Sequence, residues 1–172
     1  QTLEVPAAVN EIWSMDFMSD ALYRGRRFRT LNVLDEGVRE GLAIEIDTSL
    51  PVGRVVRVLE QLKAWRGLPK AIRVDNGPEL IAQELVDWCA GHGIELRHIQ
   101  PGKPNQNAYI ERFNRTYRSE VLDAYLFDDL DQVREITEQW LHSYNEERPH
   151  DALGCLPPAL YRRKIAAAKS ST

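Results

Sequence analysis

Three acidic residues stand where carboxylates can do chemistry. Asp16 lies inside Ile12 to Met18, a mostly apolar run with strand alternation. Strand interiors disfavour Asp. On its own this residue reads as a strand-end acid bonded to nearby backbone. Asp75 follows the short apolar run Ala71–Val74 and opens Asp75-Asn76-Gly77-Pro78. All four are turn formers, so alone the segment reads as a turn. In a sheet with parallel strands, however, the loop beyond a strand's carboxyl end is where ligands bind. Glu111 lies on a helical stretch, Asn105 to about Val121, and shares one face with Asn107, Asn114, Arg115 and Arg118. That face, taken alone, reads as solvated surface with Glu111–Arg115 and Glu111–Arg118 ion pairs. Together the acids make a divalent-metal set. Mg2+ and Mn2+ prefer carboxylates, and Mg2+ keeps open positions for phosphate oxygens. Two such ions about 3.5–4 Å apart stabilise both the attacking and the leaving oxygen of a phosphodiester. A strand acid, a strand-end acid and a helix acid converge only if the helix packs across the sheet.

The elements that must position them are legible from periodicity. In the first strand, Trp13, Met15 and Phe17 take one face, and Ile12, Ser14, Asp16 and Met18 the other. Phe28 to Leu34 and Leu42 to Ile46 read as further strands, and short links make the three an antiparallel meander. Pro51 to Trp65 is a helix with Val52, Val55, Val56, Leu59 and Leu62 on its apolar face. Ala71 to Val74 is a strand, Pro78 to Ala90 a helix ended by Gly91 and Gly93, and Ile94 to Ile99 a strand. Pro101-Gly102-Lys103-Pro104 is a loop before the Glu111 helix. Asp128 or Asp129 caps a last long helix striped by Leu130, Val133, Ile136, Trp140, Leu141 and Tyr144. The order β-β-β-α-β-α-β-α-α implies an α/β domain, a mixed sheet with helices packed on it. The expected layout is a loose entry over 1–9, the core over 10–150 and a basic tail over 151–172.

Asp75 and Glu111 are separated by 35 residues. Trp13-Ser14-Met15-Asp16, Asp75-Asn76-Gly77-Pro78-Glu79 and the run Pro101-Gly102-Lys103-Pro104-Asn105-Gln106-Asn107-Ala108-Tyr109-Ile110-Glu111-Arg112-Phe113-Asn114 resemble the integrase core of DDE transposases. They resemble most the bacterial insertion-sequence transposases whose catalytic part is encoded in a second reading frame. Tyr144-Asn145-Glu146-Glu147-Arg148-Pro149-His150 is similar to the tail signature of that family, and Arg118 to a basic position it carries. The resemblance runs from about 10 to 163, almost the whole chain. It implies a ribonuclease-H-like fold in which Asp16, Asp75 and Glu111 hold two Mg2+, with Mn2+ as a substitute. It implies cleavage of DNA at element ends by water, then joining of the 3′-OH to target DNA, with no covalent protein–DNA intermediate. It also implies work as a homo-oligomer on DNA, in the bacterial cytoplasm and on the nucleoid when active. Two positions depart from the pattern. Asp35-Glu36-Gly37-Val38-Arg39 lacks a Ser common in the family, and Leu80 stands where an aromatic is common. An upstream helix-turn-helix is not found, and a chain that starts at Gln1 reads as a fragment.

Lys plus Arg number 22 against 26 Asp plus Glu, a net charge of −4, which excludes a uniformly basic DNA binder. Contacts with DNA must come from local cations. Lys103 before the Glu111 helix, and Asn107, Arg115 and Arg118 on the face of Glu111, are the candidates. Arg24, Arg26, Arg27 and Arg29 at a turn, and Arg162, Arg163 and Lys164 in the tail, read either as solvated charge or as phosphate contacts. With two cysteines, Cys89 and Cys155, a disulfide framework is not expected and a reducing compartment is. Cys89 and His92 are the one close Cys–His pair, too little for a zinc site. No stretch approaches the ~20 apolar residues a bilayer crossing needs, so no membrane partner is expected. Two rival readings remain: a ribonuclease-H-like nuclease that does not join strands, and a non-catalytic DNA-binding or assembly module of a decayed element.

Overall fold

The computed structural model describes residues 8–100 and 102–170. Residues 1–7 of the expected entry segment, Pro101 of the expected loop and residues 171–172 lie outside the described residues. Three strands lead: β1 (Ile12–Ala21), β2 (Arg27–Asp35) and β3 (Glu40–Asp47). Helix α1 (Val52–Trp65), strand β4 (Ala71–Val74), helix α2 (Gln83–Gly91) and strand β5 (Glu95–His98) follow. Helix α3 (Ala108–Tyr117) continues into a π-type turn over Arg118–Leu122, and α4 (Leu130–Glu146) and α5 (Pro158–Ser170) complete the chain. The sheet order is β3-β2-β1-β4-β5. The β1–β2 and β2–β3 pairs are antiparallel, and β1–β4 and β4–β5 are parallel. The sheet is therefore mixed, as the element order requires.

Both faces are covered, which is why β2 is buried at nearly every position. On one face Trp13, Met15, Leu31 and Val33 pack with Val55, Leu59 and Leu62 of α1 and Leu85 of α2. Trp13 stays buried because its indole N–H donates to the Asn10 side chain at 3.0 Å. On the other face Met18, Phe28 and Ile46 meet Tyr117, Val121 and Val133. There α3 and α4 are joined by the Tyr117–Thr137 hydroxyl pair at 2.6 Å and by the edge-on rings of Phe113 and Tyr144. The Asp129 carboxylate caps α4 by accepting the Gln132 N–H at 2.9 Å, the cap the sequence suggested.

Three elements differ from expectation. The segment from Pro78 is not helical until Gln83. The Gly77 carbonyl takes the Leu80 and Ile81 N–H groups, and the Leu80 carbonyl faces the His98 imidazole Nε2 at 2.9 Å. Leu80 is thereby turned into the core. The helix expected over Asn105–Val121 is divided into a 3-10 turn (Pro104–Asn107), α3 and the π-type turn. The basic tail carries a helix, α5. Arg162 reaches back to Glu40 at 2.8 Å, and Arg163 to Glu146 at 2.8 Å. Glu40 also receives Arg66, which bonds Asp35, while Arg73 bonds Glu36. These buried carboxylates each have a guanidinium, as burial of charge demands. Among the described residues no helix is long and apolar enough to cross a membrane.

Candidate active site

Register explains why Asp16 and Asp75 meet. Ser14 pairs with Arg73 across the parallel β1–β4 ladder. Asp16 and Asp75 each lie two residues further along their strands, so they share a level and, by strand periodicity, a face. That face is the one opposite Trp13 and Met15, under α3. Asp75 sits just beyond the end of β4, where its Oδ1 accepts the Gly77 N–H at 2.8 Å. A Cβ on Gly77 would stand 3.1 Å from that same oxygen, so glycine leaves the carboxylate its place. The Asn76 side chain pins the loop to the Ile99 carbonyl at 3.1 Å.

Asp16 is half-buried. Burial, and next the facing Asp75 carboxylate, push its pKa from 3.8 to about 7. One oxygen accepts the Phe17 N–H at 2.9 Å and the other accepts the Asn114 amide at 2.9 Å. Those two bonds hold the shift back. Asn114 is itself fixed: Thr30 donates to Asn32 at 2.9 Å, and Asn32 donates to the Asn114 oxygen at 2.8 Å. With its oxygen occupied, the amide nitrogen of Asn114 is the end that faces Asp16. Sequence reading placed Asn114 on the polar face of α3 without a role. The signal is in Thr30 and Asn32, two buried polar residues on one face of β2 that alternate with the apolar Leu31 and Val33.

Glu111 stands exposed in the first turn of α3. It precedes Asn114 by three residues and so shares its face, about 4.5 Å along the helix axis. Among the described residues no three His, Cys, Asp or Glu side chains lie close enough to hold an ion. The structure thus brings Asp16 and Asp75 together and leaves Glu111 one helical turn away from the contact between α3 and Asp16. The donor chemistry suits a hard divalent cation: two adjacent carboxylates, one of which binds a proton near neutrality for lack of a better positive charge.

The expected DNA contacts divide. Lys103 and Arg115 are exposed beside Glu111's helix. Arg118 donates to the Ser19 carbonyl at 3.0 Å and pairs with Asp20 at 3.4 Å. Asn107 is buried, and its Oδ1 has no hydrogen-bond partner. Arg24, Arg26 and Arg27 are exposed, whereas Arg29 pairs with Glu79 at 3.2 Å and lies over Phe17. Cys89 is buried, with its thiol pushed up to about 11 by burial, and His92 stacks on Trp88.

Two descriptions of the integrase core domain match this chain, one over residues 6–104 and the other over residues 92–158. The uncharacterized 39.2 kDa protein of insertion element IS476 from Xanthomonas euvesicatoria is 43% identical over 161 residues, 94% of this chain and 46% of that protein. The uncharacterized 31.7 kDa protein of IS407 from Burkholderia multivorans is 42% identical over 167 residues, 97% of this chain and 60% of that protein. The chain thus spans about half the length of these curated relatives. Among solved structures, the catalytic core domain of BIV integrase superposes with a TM-score of 0.71 at 19% identity, covering 94% of this chain and 99% of that one. The HTLV-2 integrase catalytic core domain, in complex with magnesium, gives 0.69 at 19% identity, covering 87% and 95%. These likenesses show the ribonuclease-H-like fold that the sequence implied.

Proposed function

The chain belongs to the integrase core domain family, and from that premise we propose that it is the catalytic core of an insertion-element transposase. Asp16, Asp75 and Glu111 are its metal-holding acids. The observation that carries this reading is the Asp16–Asp75 pair. Two carboxylates are set level, one on β1 and one just beyond β4, and Asn114 ties Asp16 to the helix that bears Glu111. When bound, Mg2+ or Mn2+ supplies Lewis acidity to a phosphodiester and lowers the pKa of the attacking oxygen.

The remaining work falls to side chains. Asp16 must be ionised to hold an ion, and Asn114 favours the ionised form by donating to it. Gly77 and Asn76 keep Asp75 aimed across the strands. Glu111 closes the set from α3, and its exposure leaves it accessible to a DNA strand. Cleavage forms a bond from water oxygen to phosphorus and expels the 3′-oxygen, which takes a proton. Joining forms a bond from that 3′-OH to a target phosphorus and expels the target's own 3′-oxygen. Phosphodiesters are exchanged, so no oxidant or nucleotide is consumed. The partner is DNA, element end and target, engaged by a homo-oligomer in the bacterial cytoplasm.

The test is product analysis on labelled DNA with a recessed 3′-OH end, using the chain within its full-length protein and Mg2+ or Mn2+. The expected product is longer than the input strand, and it is absent for Asp16→Asn, Asp75→Asn and Glu111→Gln. Only shortened products would mean a nuclease without joining. Near-normal joining by any of the three variants would remove that residue from the set.

A further inference from the structure

We propose that the cleft between α3, the end of α4 and the β2–β3 turn binds a phosphate group of a DNA strand. This rests on the reading of the chain as a DNA-acting core, and it assigns a contact that none of the three acids supplies. The cleft has a volume of about 350 Å3, and Arg39, Arg112, Arg148, His150, Tyr109 and Tyr144 are among its walls. Three guanidinium groups thus converge on one depression of a chain whose net charge is −4.

Their neutralisation is incomplete. Arg148 pairs with Glu120. Arg39 is directed at the backbone carbonyl of Glu36, and its guanidinium lies 4.2 Å from the centre of the Tyr109 ring. Neither Arg39 nor Arg112 has a carboxylate partner among the described residues. Asp151 is the one acid in the wall, and it is exposed. The Nε2 atom of His150 is buried without a hydrogen-bond partner. A buried ring nitrogen left unpaired is costly, and an anionic oxygen in the cleft would satisfy it. Burial, and next the charges of Arg148 and Arg39, depress the His150 pKa. Its neutral form is therefore favoured in a positive field, and the Nε2–H tautomer of that form can donate to an anion.

A phosphate fits this set because its oxygens accept from several guanidinium forks at once. A DNA strand is favoured as its source by position. Arg112 is exposed on α3, the helix that carries Glu111, about 100° around the axis from it, so the cleft opens beside the helix that a strand reaching the acid must meet. The cleft also accounts for two stretches that the acids leave unexplained. Arg39 comes from the Asp35–Arg39 turn, and Arg148 and His150 come from the tail signature. Within that signature Asn145 has a separate task, holding the Gly41 backbone by two bonds of 2.9 and 2.8 Å.

The test measures binding of the 172-residue chain to a short duplex in EDTA, so that the reading does not depend on metal or strand transfer. Arg112→Ala is the main variant, because its side chain is exposed and makes no ion pair whose loss would unfold the protein. Arg57→Ala removes the same charge from α1, on the other face of the sheet, and Arg112→Lys keeps the charge without the fork. Arg112→Ala is expected to weaken binding about tenfold. It should also lower the slope of log affinity against log salt by about one. Arg112→Lys should fall between, and Arg57→Ala should match the parent. In parallel, inorganic phosphate at matched ionic strength should shift the His150 ring resonances in the parent and not in Arg112→Ala. Equal losses from Arg112→Ala and Arg57→Ala would overturn the proposal, as would a parent that binds no DNA at low salt. A phosphate shift with DNA affinity indifferent to Arg112 would also overturn it, since the source would then be free phosphate. Failure of strand transfer in the acid variants' parent, with the Arg112 effect intact, would strike the catalytic reading and leave this one standing.

Discussion

Asp16 sits between influences of opposite sign, and its balance sets how the site responds to pH. Burial and Asp75 disfavour its charge, whereas the Phe17 N–H and the Asn114 amide favour it. Its folded pKa of about 7 lies above the 3.8 of an unperturbed carboxyl. The folded state therefore binds the extra proton more tightly than the unfolded chain. The stability this contributes is complete below 3.8 and is lost as pH rises through about 7. Asp16→Asn carries no such charge. In EDTA its stability relative to the parent should rise across that window and level off above it, as read by urea melts at a series of pH values. A constant difference would mean that Asp16 ionises freely in the folded protein. Asn114→Ala tests the opposing influence. Without its donor the Asp16 pKa should climb further, and the acidic limb of the pH–rate profile should move to higher pH. Groups that orient metal-holding carboxylates typically matter by about 10- to 100-fold in affinity or rate, and a loss of that size is expected. The profile separates this role from a packing defect, which would lower the rate without moving the limb.

Elements carry the site through a few close approaches, and Gly41 at the start of β3 is one that both α3 and α4 make. A Cβ there would lie 2.5 Å from the Leu141 side chain and 2.8 Å from the Phe113 ring. Gly41→Ala must push α4 and α3 off the sheet, at a cost of roughly 1–3 kcal/mol. Thermal melting should show the drop, and because Phe113 and Asn114 are neighbours on α3, strand transfer should fall with it. An unchanged melting temperature would mean that α3 and α4 sit less tightly on β3 than described. The strands of this arrangement were legible because both acid-bearing strands show their pattern locally: Trp13, Met15 and Phe17 alternate with Ser14 and Asp16, and Ala71–Val74 is bounded by Lys70 and Asp75. The boundaries that were not legible depend on contacts distant in sequence. Pro78 is a good first residue for a helix, yet His98 holds the Leu80 carbonyl and delays the helix to Gln83. Pro157 and Pro158 are helix breakers by residue type, yet Pro158 opens α5, which Glu40 and Glu146 receive through Arg162 and Arg163. Asn107 shows the same limit within the site: helical spacing put it beside Glu111, and only the tertiary structure shows that it is buried.

For the molecule as a whole, the proposed site makes its acids a source of strain that a bound ion would relieve. Two carboxylates about 4 Å apart repel by roughly 4 kcal/mol at an effective dielectric near 20. The proton that Asp16 takes up near neutrality removes part of that cost. The unfolded chain disperses the same acids and has no comparable site, so a bound divalent ion favours the folded state. At about ten times its dissociation constant the ion should stabilise by about 1.4 kcal/mol. For a domain of this size that corresponds to roughly 3–6 °C in melting temperature. Asp75→Asn takes one charge from the pair, so in EDTA this variant should melt at or above the parent. Its gain from Mg2+ or Mn2+ should shrink, because one of the two preset donors is gone. The comparison is a melting series in EDTA, Mg2+ and Mn2+ at constant ionic strength, which keeps general screening of the −4 chain equal across the series. A smaller metal shift in Asp75→Asn would tie the ion to the level pair on β1 and β4. Equal shifts in parent and variant would place the ion elsewhere, and the Asp16–Asp75 pair would lose its part in holding metal.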